Sequence, residues 1–329
     1  MNIFEYFDTF EKSRRNNMAV VKQISIIIPL HNEEDNVNDL IDRTVEALKL
    51  ISEKSEIICV DDGSKDETLN RLLVKQQEND SIKIIQLSRN FGHQSAYIAG
   101  LKESKSEYTF MMDGDLQDPP ELIPVLFDKI NNSDFDIVYA KRKKREEGFL
   151  KKILILVFHK LFSKITSLNA PENVGNFSVM KKNALNALLT LPEKNIYLPG
   201  LRFYIGFNQG FIEYDRDGRS FGDSLSFSRL FKLAFDAIFS FSKIPIKISL
   251  IIGILGILFS LMGSSVVIYK KIIGEAITGW TSQMLALFFF GSVQLFFLGI
   301  LGEYVFRIFI ETKDRPTYFV KKVFDKTRE

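Results

Sequence analysis

Two long stretches without charge constrain this 329-residue chain more than any other feature. Residues 248–269 and 276–302 contain no Asp, Glu, Lys or Arg, and each exceeds the ~20 residues that a helix needs to cross a bilayer. Only residues 270–275 connect them, which is too short for a domain. The sequence therefore predicts two transmembrane helices within residues 244–310, at about 248–269 and 279–306, joined as a hairpin.

Basic residues around the two spans predict their orientation. Lys243 and Lys247 precede the first span, and the connection offers Lys270 and Lys271. The second span is followed by Arg307, Lys313, Arg315, Lys321 and Lys322. The positive-inside rule then predicts a multi-pass protein of the inner (cytoplasmic) membrane, with the catalytic domain, both termini and a tail at 311–329 in the cytoplasm.

Small residues in the first span bear on assembly. Gly253, Gly256 and Gly263 could let helices approach closely, including helices of two subunits. We therefore expect that the chain could form a homo-oligomer through its spans.

The first half of the chain has a different pattern. Short apolar runs alternate with helical spacing, which predicts a Rossmann-like α/β domain with a mostly parallel sheet over residues 23–225. The strands are expected at residues 24–29, 56–61, 82–87, 108–112 and 135–140. Residues 1–22 are polar with scattered aromatics and are expected to form a surface segment.

Composition argues against a nucleic-acid partner and excludes two kinds of cysteine chemistry. The 43 basic and 41 acidic residues nearly balance, so no nucleic-acid partner is expected. The single cysteine, Cys59, excludes an intramolecular disulfide and a multi-cysteine metal site.

Two further segments read as amphipathic helices. Residues 149–168 place apolar side chains on one side and lysines largely on the other, and residues 226–243 repeat that character. Such helices suit a membrane surface. The alternative is a helix packed on the sheet with a solvated basic face.

An acidic cluster follows the fourth predicted strand. Asp113, Asp115 and Gln117 come directly after that strand. Pro119-Pro120 follow and cannot continue a strand, so the chain must turn there. Carboxylate and amide oxygens suit Mg²⁺ or Mn²⁺, which usually also binds substrate phosphates. A solvated acidic turn is the alternative.

Other strand ends carry polar side chains as well. Glu33 follows the first strand and Asp61-Asp62 the second, and the loops after parallel strands converge on one edge of a sheet. The Asp62 carboxylate could accept a hydrogen bond from a base N–H or a ribose hydroxyl. A capped turn without a ligand is the alternative.

Four motifs occur in a fixed order: Ile-Pro-Leu-His-Asn-Glu at 28–33, Val-Asp-Asp-Gly-Ser at 60–64, Ser-Arg-Asn-Phe-Gly at 88–92, and Asp-Gly-Asp-Leu-Gln-Asp-Pro-Pro-Glu at 113–121. Together they resemble the family 2 inverting glycosyltransferases of GT-A fold. Within that family they are similar to the polyprenyl-phosphate glycosyltransferases, which include dolichol-phosphate mannose synthase and the bactoprenol glucosyltransferases. The resemblance continues through residues 175–178, 198–202, both spans, 301–304 and 315–318.

The resemblance implies a role for individual residues. The nucleotide-sugar pocket would be lined by Pro29, His31, Glu33, Asp62, Asp113 and Gly114. A Mg²⁺ or Mn²⁺ ion bridging the diphosphate would be held by Asp113, Asp115 and Gln117. The catalytic residues would be Asp115, Asn176 and Arg202.

The implied acceptor is a polyprenyl phosphate, whose charge calls for cations. The candidates are Arg142, Arg202, Arg216 and Arg219, with Arg202 preferred because it lies in a matching motif. The alternative for each is a solvated surface arginine. Asn176 departs from many relatives, which carry Asp there. An acceptor phosphate with a second pKa of ~6 is already ionised, so Asn176 could orient it without acting as a base.

The expected function is inverting transfer of a single hexose from a nucleotide sugar, UDP-glucose favoured, to an undecaprenyl-type phosphate. One alternative is a processive polysaccharide synthase, which would need more spans and a Gln-x-x-Arg-Trp motif. The only tryptophan, Trp280, instead lies in the hairpin region. The other alternative is a non-enzymatic membrane interaction protein.

Overall fold

The computed structural model describes residues 23–142, 174–194, 196–214 and 279–326, together with isolated positions between 251 and 273. Two compact units can be distinguished, and the first contains the sheet together with the last residues of the chain, Pro316–Glu329. The predicted surface segment at 1–22 and the two amphipathic helices lie outside the described residues.

Eight strands form one sheet in the order β7-β5-β6-β4-β1-β2-β3-β8. The strands are β1 (Ile24–Leu30), β2 (Ser55–Asp61), β3 (Ile82–Leu87), β4 (Tyr108–Met111), β5 (Ile137–Arg142), β6 (Val174–Lys181), β7 (Gln209–Tyr214) and β8 (Val320–Phe324). The helices of this unit are α1 (Val37–Lys49), α2 (Thr68–Glu78), α3 (His93–Glu103), α4 (Ile123–Asn131), α5 (Lys182–Leu189) and α6 (Leu198–Tyr204).

Strand pairing confirms the predicted mostly parallel sheet. β1 is parallel to β2 and β4, β2 to β3, and β5 to β7. The antiparallel pairs all involve β6 or β8. All seven residues of β1 are buried, as expected for a central strand with helices on both faces of the sheet. The carboxyl ends of β1, β2 and β4 therefore meet at one edge.

β8 differs from the expectation. The sequence predicts a tail at residues 311–329, whereas the structure pairs Val320–Phe324 with the outer edge of β3, from Ile84↔Phe324 to Leu87↔Val320. Four of its five residues are exposed, so the strand carries no buried apolar run that could mark it in the sequence.

The second unit contains one long described helix, α7 (Trp280–Lys313), of 34 residues. Its segment Phe289–Lys313 is long and apolar enough to cross a membrane, judged by length and composition alone. Large side chains such as Leu295, Phe296 and Leu301 are exposed along it. Among the described residues this is one candidate span, so the predicted two-helix hairpin stays a prediction.

Candidate active site

An open cleft of about 300 Å³ lies at the carboxyl ends of β1, β2 and β4. It is lined by Pro29, Leu30, His31, Glu33, Asp62, Asn90, Gly92, His93, Asp113, Gly114 and Asp115. The structure thus brings together the residues predicted for the nucleotide sugar and two of those predicted for the metal. They converge because parallel strands end at the same edge of the sheet.

Three side chains hold the Asp113 carboxylate in the cleft. Its Oδ1 accepts hydrogen bonds from the Tyr97 hydroxyl at 2.7 Å and from Asn176 Nδ2 at 3.1 Å, and lies 3.3 Å from His93 Nε2. Burial alone would raise the pKa of Asp113, but the interactions with His93, Tyr97 and Asn176 outweigh it and lower the pKa to about 2. Asp113 is therefore a carboxylate throughout the physiological range.

His93 and Tyr97 were not among the residues predicted for the site. Both lie on α3, four positions apart, so they share one face of the helix. The centres of their rings are 4.9 Å apart. Burial would lower the pKa of His93, but the bond to Asp113 and the charges of nearby carboxylates raise it. The signal for both residues is the helix that begins directly after the Ser88–Gly92 motif, with His93 as its first residue and Tyr97 one turn further.

Glycine lets the acidic loop lie against the end of β1. A Cβ on Gly114 would come within 2.6 Å of Leu30 Cδ2 and 2.9 Å of the Pro29 carbonyl oxygen. Any larger residue would push Asp113 and Asp115 away from the strand end. This position is fixed by packing, which explains why a glycine separates the two carboxylates.

The rest of that loop is anchored on both sides. Asp118 is fully buried and accepts a hydrogen bond from the Tyr214 hydroxyl at the end of β7. Glu121 binds the Arg43 guanidinium of α1 through two bonds of 2.7 and 2.8 Å. The loop that carries Asp115 is therefore held by two separate elements of the fold.

The donor set fits a hard divalent cation. No cluster of three His, Cys, Asp or Glu side chains that could enclose a metal is found in the described parts of the chain. Mg²⁺ does not need one, since it commonly takes one or two carboxylates and completes its shell with substrate phosphates and water. Asp113 and Asp115 provide such an open pair, whereas Gln117 is not among the residues lining the cleft and gives its backbone N–H to Asp115 Oδ1 at 3.1 Å.

Asp62 supports a neighbouring loop as well as lining the cleft. Its two oxygens accept the backbone N–H groups of Phe91 at 2.7 Å and Gly92 at 2.9 Å. Gly63 follows with a φ of +66°, and a Cβ there would lie 2.5 Å from the backbone of Arg89. Burial raises the pKa of Asp62, and the two backbone bonds oppose that rise. Its predicted contact with the base stays a prediction.

The Glu33 carboxylate is held at the end of β1. Its Oε2 accepts a hydrogen bond from Asn36 Nδ2 at 2.6 Å. Burial raises the pKa of Glu33, and the Asn36 bond opposes the rise. The preceding turn is fixed by Asn32, whose side-chain oxygen accepts the Lys65 backbone N–H at 2.9 Å.

Arg202 requires a correction. It is fully buried, and its guanidinium donates to the carbonyl oxygens of Gly175 at 2.7 Å and Asn176 at 2.9 Å and to the Ser178 hydroxyl. Its guanidinium carbon also lies 4.9 Å from the centre of the Tyr139 ring. A side chain with no exposed surface cannot receive a lipid phosphate, so Arg202 holds strand β6 instead.

Of the other residues predicted to orient or bind the acceptor phosphate, the structure describes the side chain of Asn176 alone. Asn176, on β6, links Arg202 to the cleft, because its carbonyl accepts from Arg202 while its amide donates to Asp113. Only the backbone of Arg142 is described, at the end of β5. Arg216 and Arg219 lie outside the described residues.

Comparison with known proteins places this cleft in a family. Residues 25–189 match the family described as Glycosyl transferase family 2. An uncharacterised glycosyltransferase of Synechocystis sp. is 41% identical over 301 residues, 91% of this chain and 94% of that protein. A prophage bactoprenol glucosyl transferase homolog of Escherichia coli is 34% identical over 304 residues, 92% of this chain and 99% of that protein.

A solved structure gives a more distant comparison. Glucosyl-3-phosphoglycerate synthase from Mycobacterium tuberculosis, in complex with UDP, is 16% identical with a TM-score of 0.49 over 71% of this chain and 82% of that chain. The matched family segment contains every described residue of the cleft, and the two relatives extend over nearly the whole chain. The chain therefore belongs to glycosyl transferase family 2.

Proposed function

We propose that this glycosyltransferase moves a single hexose from a nucleotide sugar, UDP-glucose favoured, to a polyprenyl phosphate of the undecaprenyl type, with inversion at the anomeric carbon. One observation carries the proposal. A carboxylate cleft suited to a metal-bound diphosphate occurs in a chain that is 34% identical to bactoprenol glucosyl transferases along nearly its entire length.

The cleft accounts for departure of the nucleotide. Asp113 and Asp115 would hold a Mg²⁺ or Mn²⁺ ion, which when bound neutralises the charge that grows on the leaving diphosphate. The chain contributes the preparation of that site. Tyr97 and Asn176 donate to Asp113 and keep it ionised and oriented, so little reorganisation is needed when the donor arrives.

The transfer step needs no base from the protein. An oxygen of the acceptor phosphate attacks the anomeric carbon as the bond from that carbon to the diphosphate oxygen breaks. The nucleoside diphosphate leaves with the electron pair. The attacking phosphate is already ionised at neutral pH, with a second pKa of about 6. Asn176 fits this chemistry, because an amide cannot remove a proton but can hold Asp113 in place.

The acceptor phosphate calls for cationic side chains. Arg142, Arg216 and Arg219 are the proposed ligands of the lipid phosphate, since Arg202 is committed to the interior. We further propose that two spans hold the catalytic domain at the cytoplasmic face of the membrane. The candidate span in α7 supports one of them. A homo-oligomer formed through the spans belongs to the same proposal.

The test is a donor panel with the full chain in lipid nanodiscs. Undecaprenyl phosphate and Mg²⁺ are supplied with labelled UDP-glucose, UDP-N-acetylglucosamine or GDP-mannose, and the lipid fraction is analysed. We expect one labelled hexose per lipid, with UDP-glucose giving the fastest transfer and EDTA abolishing it. A ladder of several sugars per lipid would favour a processive synthase. Absence of labelled lipid with every donor would overturn the proposal.

A further inference from the structure

A second cavity adjoins the carboxylate cleft, at the ends of β2 and β3. It has a volume of about 580 Å³ and shares His31 and Asn90 with the cleft. Its full lining is His31, Gly63, Ser64, Lys65, Gln86, Leu87, Ser88, Arg89, Asn90 and Lys321. Lys321 stands apart in this set, because it lies on β8, far outside the family segment 25–189.

A bulge in β8 explains how Lys321 reaches the cavity. The register runs from Gln86↔Lys322 to Leu87↔Val320, so β8 advances by two residues where β3 advances by one. Lys321 is the extra residue at that step. Bulges redirect a side chain and are frequent next to active sites. The neighbouring Lys322 is directed elsewhere, with its Nζ 4.4 Å from the centre of the Phe324 ring.

Several contacts hold β8 against the loop that forms the cavity. The Ser88 backbone N–H donates to the Phe319 carbonyl at 2.9 Å, and the rings of Phe91 and Phe319 lie 6.1 Å apart. At the far end of the strand, Gln76 Nε2 donates to the Phe324 carbonyl at 2.8 Å. Lys321 is therefore carried by a strand fixed at both ends.

The second cavity and the carboxylate cleft carry opposite charges. The second cavity contains the cations Lys65, Arg89 and Lys321, and its described lining includes no carboxylate. Within the described ranges, neither Lys65 nor Lys321 forms an ion pair. The adjoining cleft contains four carboxylates: Glu33, Asp62, Asp113 and Asp115.

An acidic cleft beside a basic cavity suits a ligand that joins a metal-bound diphosphate to a nucleoside. Under the proposed function a metal-bound diphosphate would occupy the acidic cleft, and the adjoining cavity could take the nucleoside attached to it. The base and ribose present carbonyl and hydroxyl oxygens, which accept hydrogen bonds from ammonium and guanidinium groups.

We propose that Lys321 is a donor-binding residue, whose ammonium group donates a hydrogen bond to an oxygen of the nucleoside part of the nucleotide sugar. The inference rests on the proposed function and adds to it. The nucleotide pocket is completed by the strand that follows the long apolar helix in sequence, so donor preference depends on a residue outside the family segment.

A plainer role for Lys321 is also available. Lysines on an edge strand discourage edge-to-edge pairing with other chains. That role would apply equally to Lys322, which is the adjacent exposed lysine on the same strand. The two explanations therefore differ in whether Lys321→Ala and Lys322→Ala behave alike.

The experiment measures UDP binding to the full chain in detergent with Mg²⁺, by isothermal titration calorimetry and without lipid acceptor. We expect Lys321→Ala to weaken UDP binding about tenfold, as for loss of one charge-assisted hydrogen bond. Lys322→Ala should bind UDP as the wild type does, and Lys321→Arg should retain most of the affinity. Equal melting temperatures of the variants verify that β8 remains in place.

The outcomes separate this inference from the proposed function. Equal UDP affinity of Lys321→Ala and Lys322→Ala would overturn the role of Lys321 while leaving the proposed function intact. UDP binding that depends on Lys321, in a protein that transfers no sugar to polyprenyl phosphate, would support the inference and reject the proposed acceptor. A wild-type protein that binds neither UDP nor GDP would overturn both.

Discussion

Asp113 and Arg202 are two charged residues that both form hydrogen bonds with Asn176 of β6, yet one lines the cleft and the other is buried in the interior. The Asp113 side chain keeps 18% of its surface exposed, lines the cleft and is held by donors from α3 and β6. Arg202 has no exposed surface and directs its donors at the backbone of β6. Both belong to motifs that resemble the same family. Exposure, which a motif does not encode, decides which of the two charges is accessible to a ligand.

The strongest challenge to this contrast is Asp113→Asn. It removes the charge but keeps the shape, so we expect transfer to fall by about 10²–10³-fold, as for loss of one preorganised electrostatic group. Rates of lipid labelling in nanodiscs measure the effect. Asp80→Asn, at a carboxylate that is 77% exposed, is the matched control and should transfer normally. Transfer by Asp113→Asn at the wild-type rate would remove Asp113 from the catalytic site.

Arg202→Met examines the other half of the contrast. The two carbonyl oxygens and the hydroxyl that it binds would lose a charged donor, and hydrogen bonds to charged groups contribute about 1.5–3 kcal/mol each. We expect the free energy of unfolding to fall by at least about 3 kcal/mol, measured by denaturant titration in detergent.

Arg202→Lys provides the comparison for that variant. It keeps the charge but loses the planar fork that reaches two carbonyls, so it should recover only part of the stability. If Arg202→Met were as stable as the wild type but failed to transfer sugar, Arg202 would be a ligand-binding residue after all.

His93 gives the smallest expected effect and a pH signature. Its pKa in the folded protein is raised, so its contribution to stability is fully present below about pH 6.5 and is lost as pH rises through the folded-state pKa. We expect the melting temperature of metal-free His93→Gln to lie below that of the wild type at pH 6 and to approach it by pH 8.

The size of that difference is limited. The His93 side chain is 45% exposed, and solvent screening holds the stability difference below about 1 kcal/mol. A gap in melting temperature that stayed constant with pH would show that His93 contributes through packing alone.

Much of the sheet was predictable for a physical reason. β1 to β5 are buried runs followed by turn residues, and a strand covered on both faces leaves that pattern in the sequence. β6 begins with half-exposed residues around Gly175 and Asn176, and β8 is almost wholly exposed, so neither has a clear apolar period. Their places depend on partners distant in the chain.

The site divides in the same way. Glu33, Asp62 and Asp113 could be grouped from the sequence because they follow parallel strands, whose ends must meet. Pro29 lies within β1, and only the family resemblance assigned it to the pocket. The burial of Arg202 could not be predicted, since it depends on Tyr139 and on carbonyl groups of β6. His93 and Tyr97 were within reach, because a helix begins directly after the Ser88–Gly92 motif and brings positions four apart onto one face.

The antiparallel pairing of β8 with β3 also affects folding during synthesis on the ribosome. Gln76 and its partner Phe324 are 248 positions apart in the chain. At the usual 5–20 residues per second, a ribosome needs roughly 10–50 s to travel that distance. Throughout that interval the outer edge of β3 is already synthesised but lacks its closing strand. The nascent protein therefore carries an open sheet edge, a site of mispairing, until β8 has emerged from the ribosome.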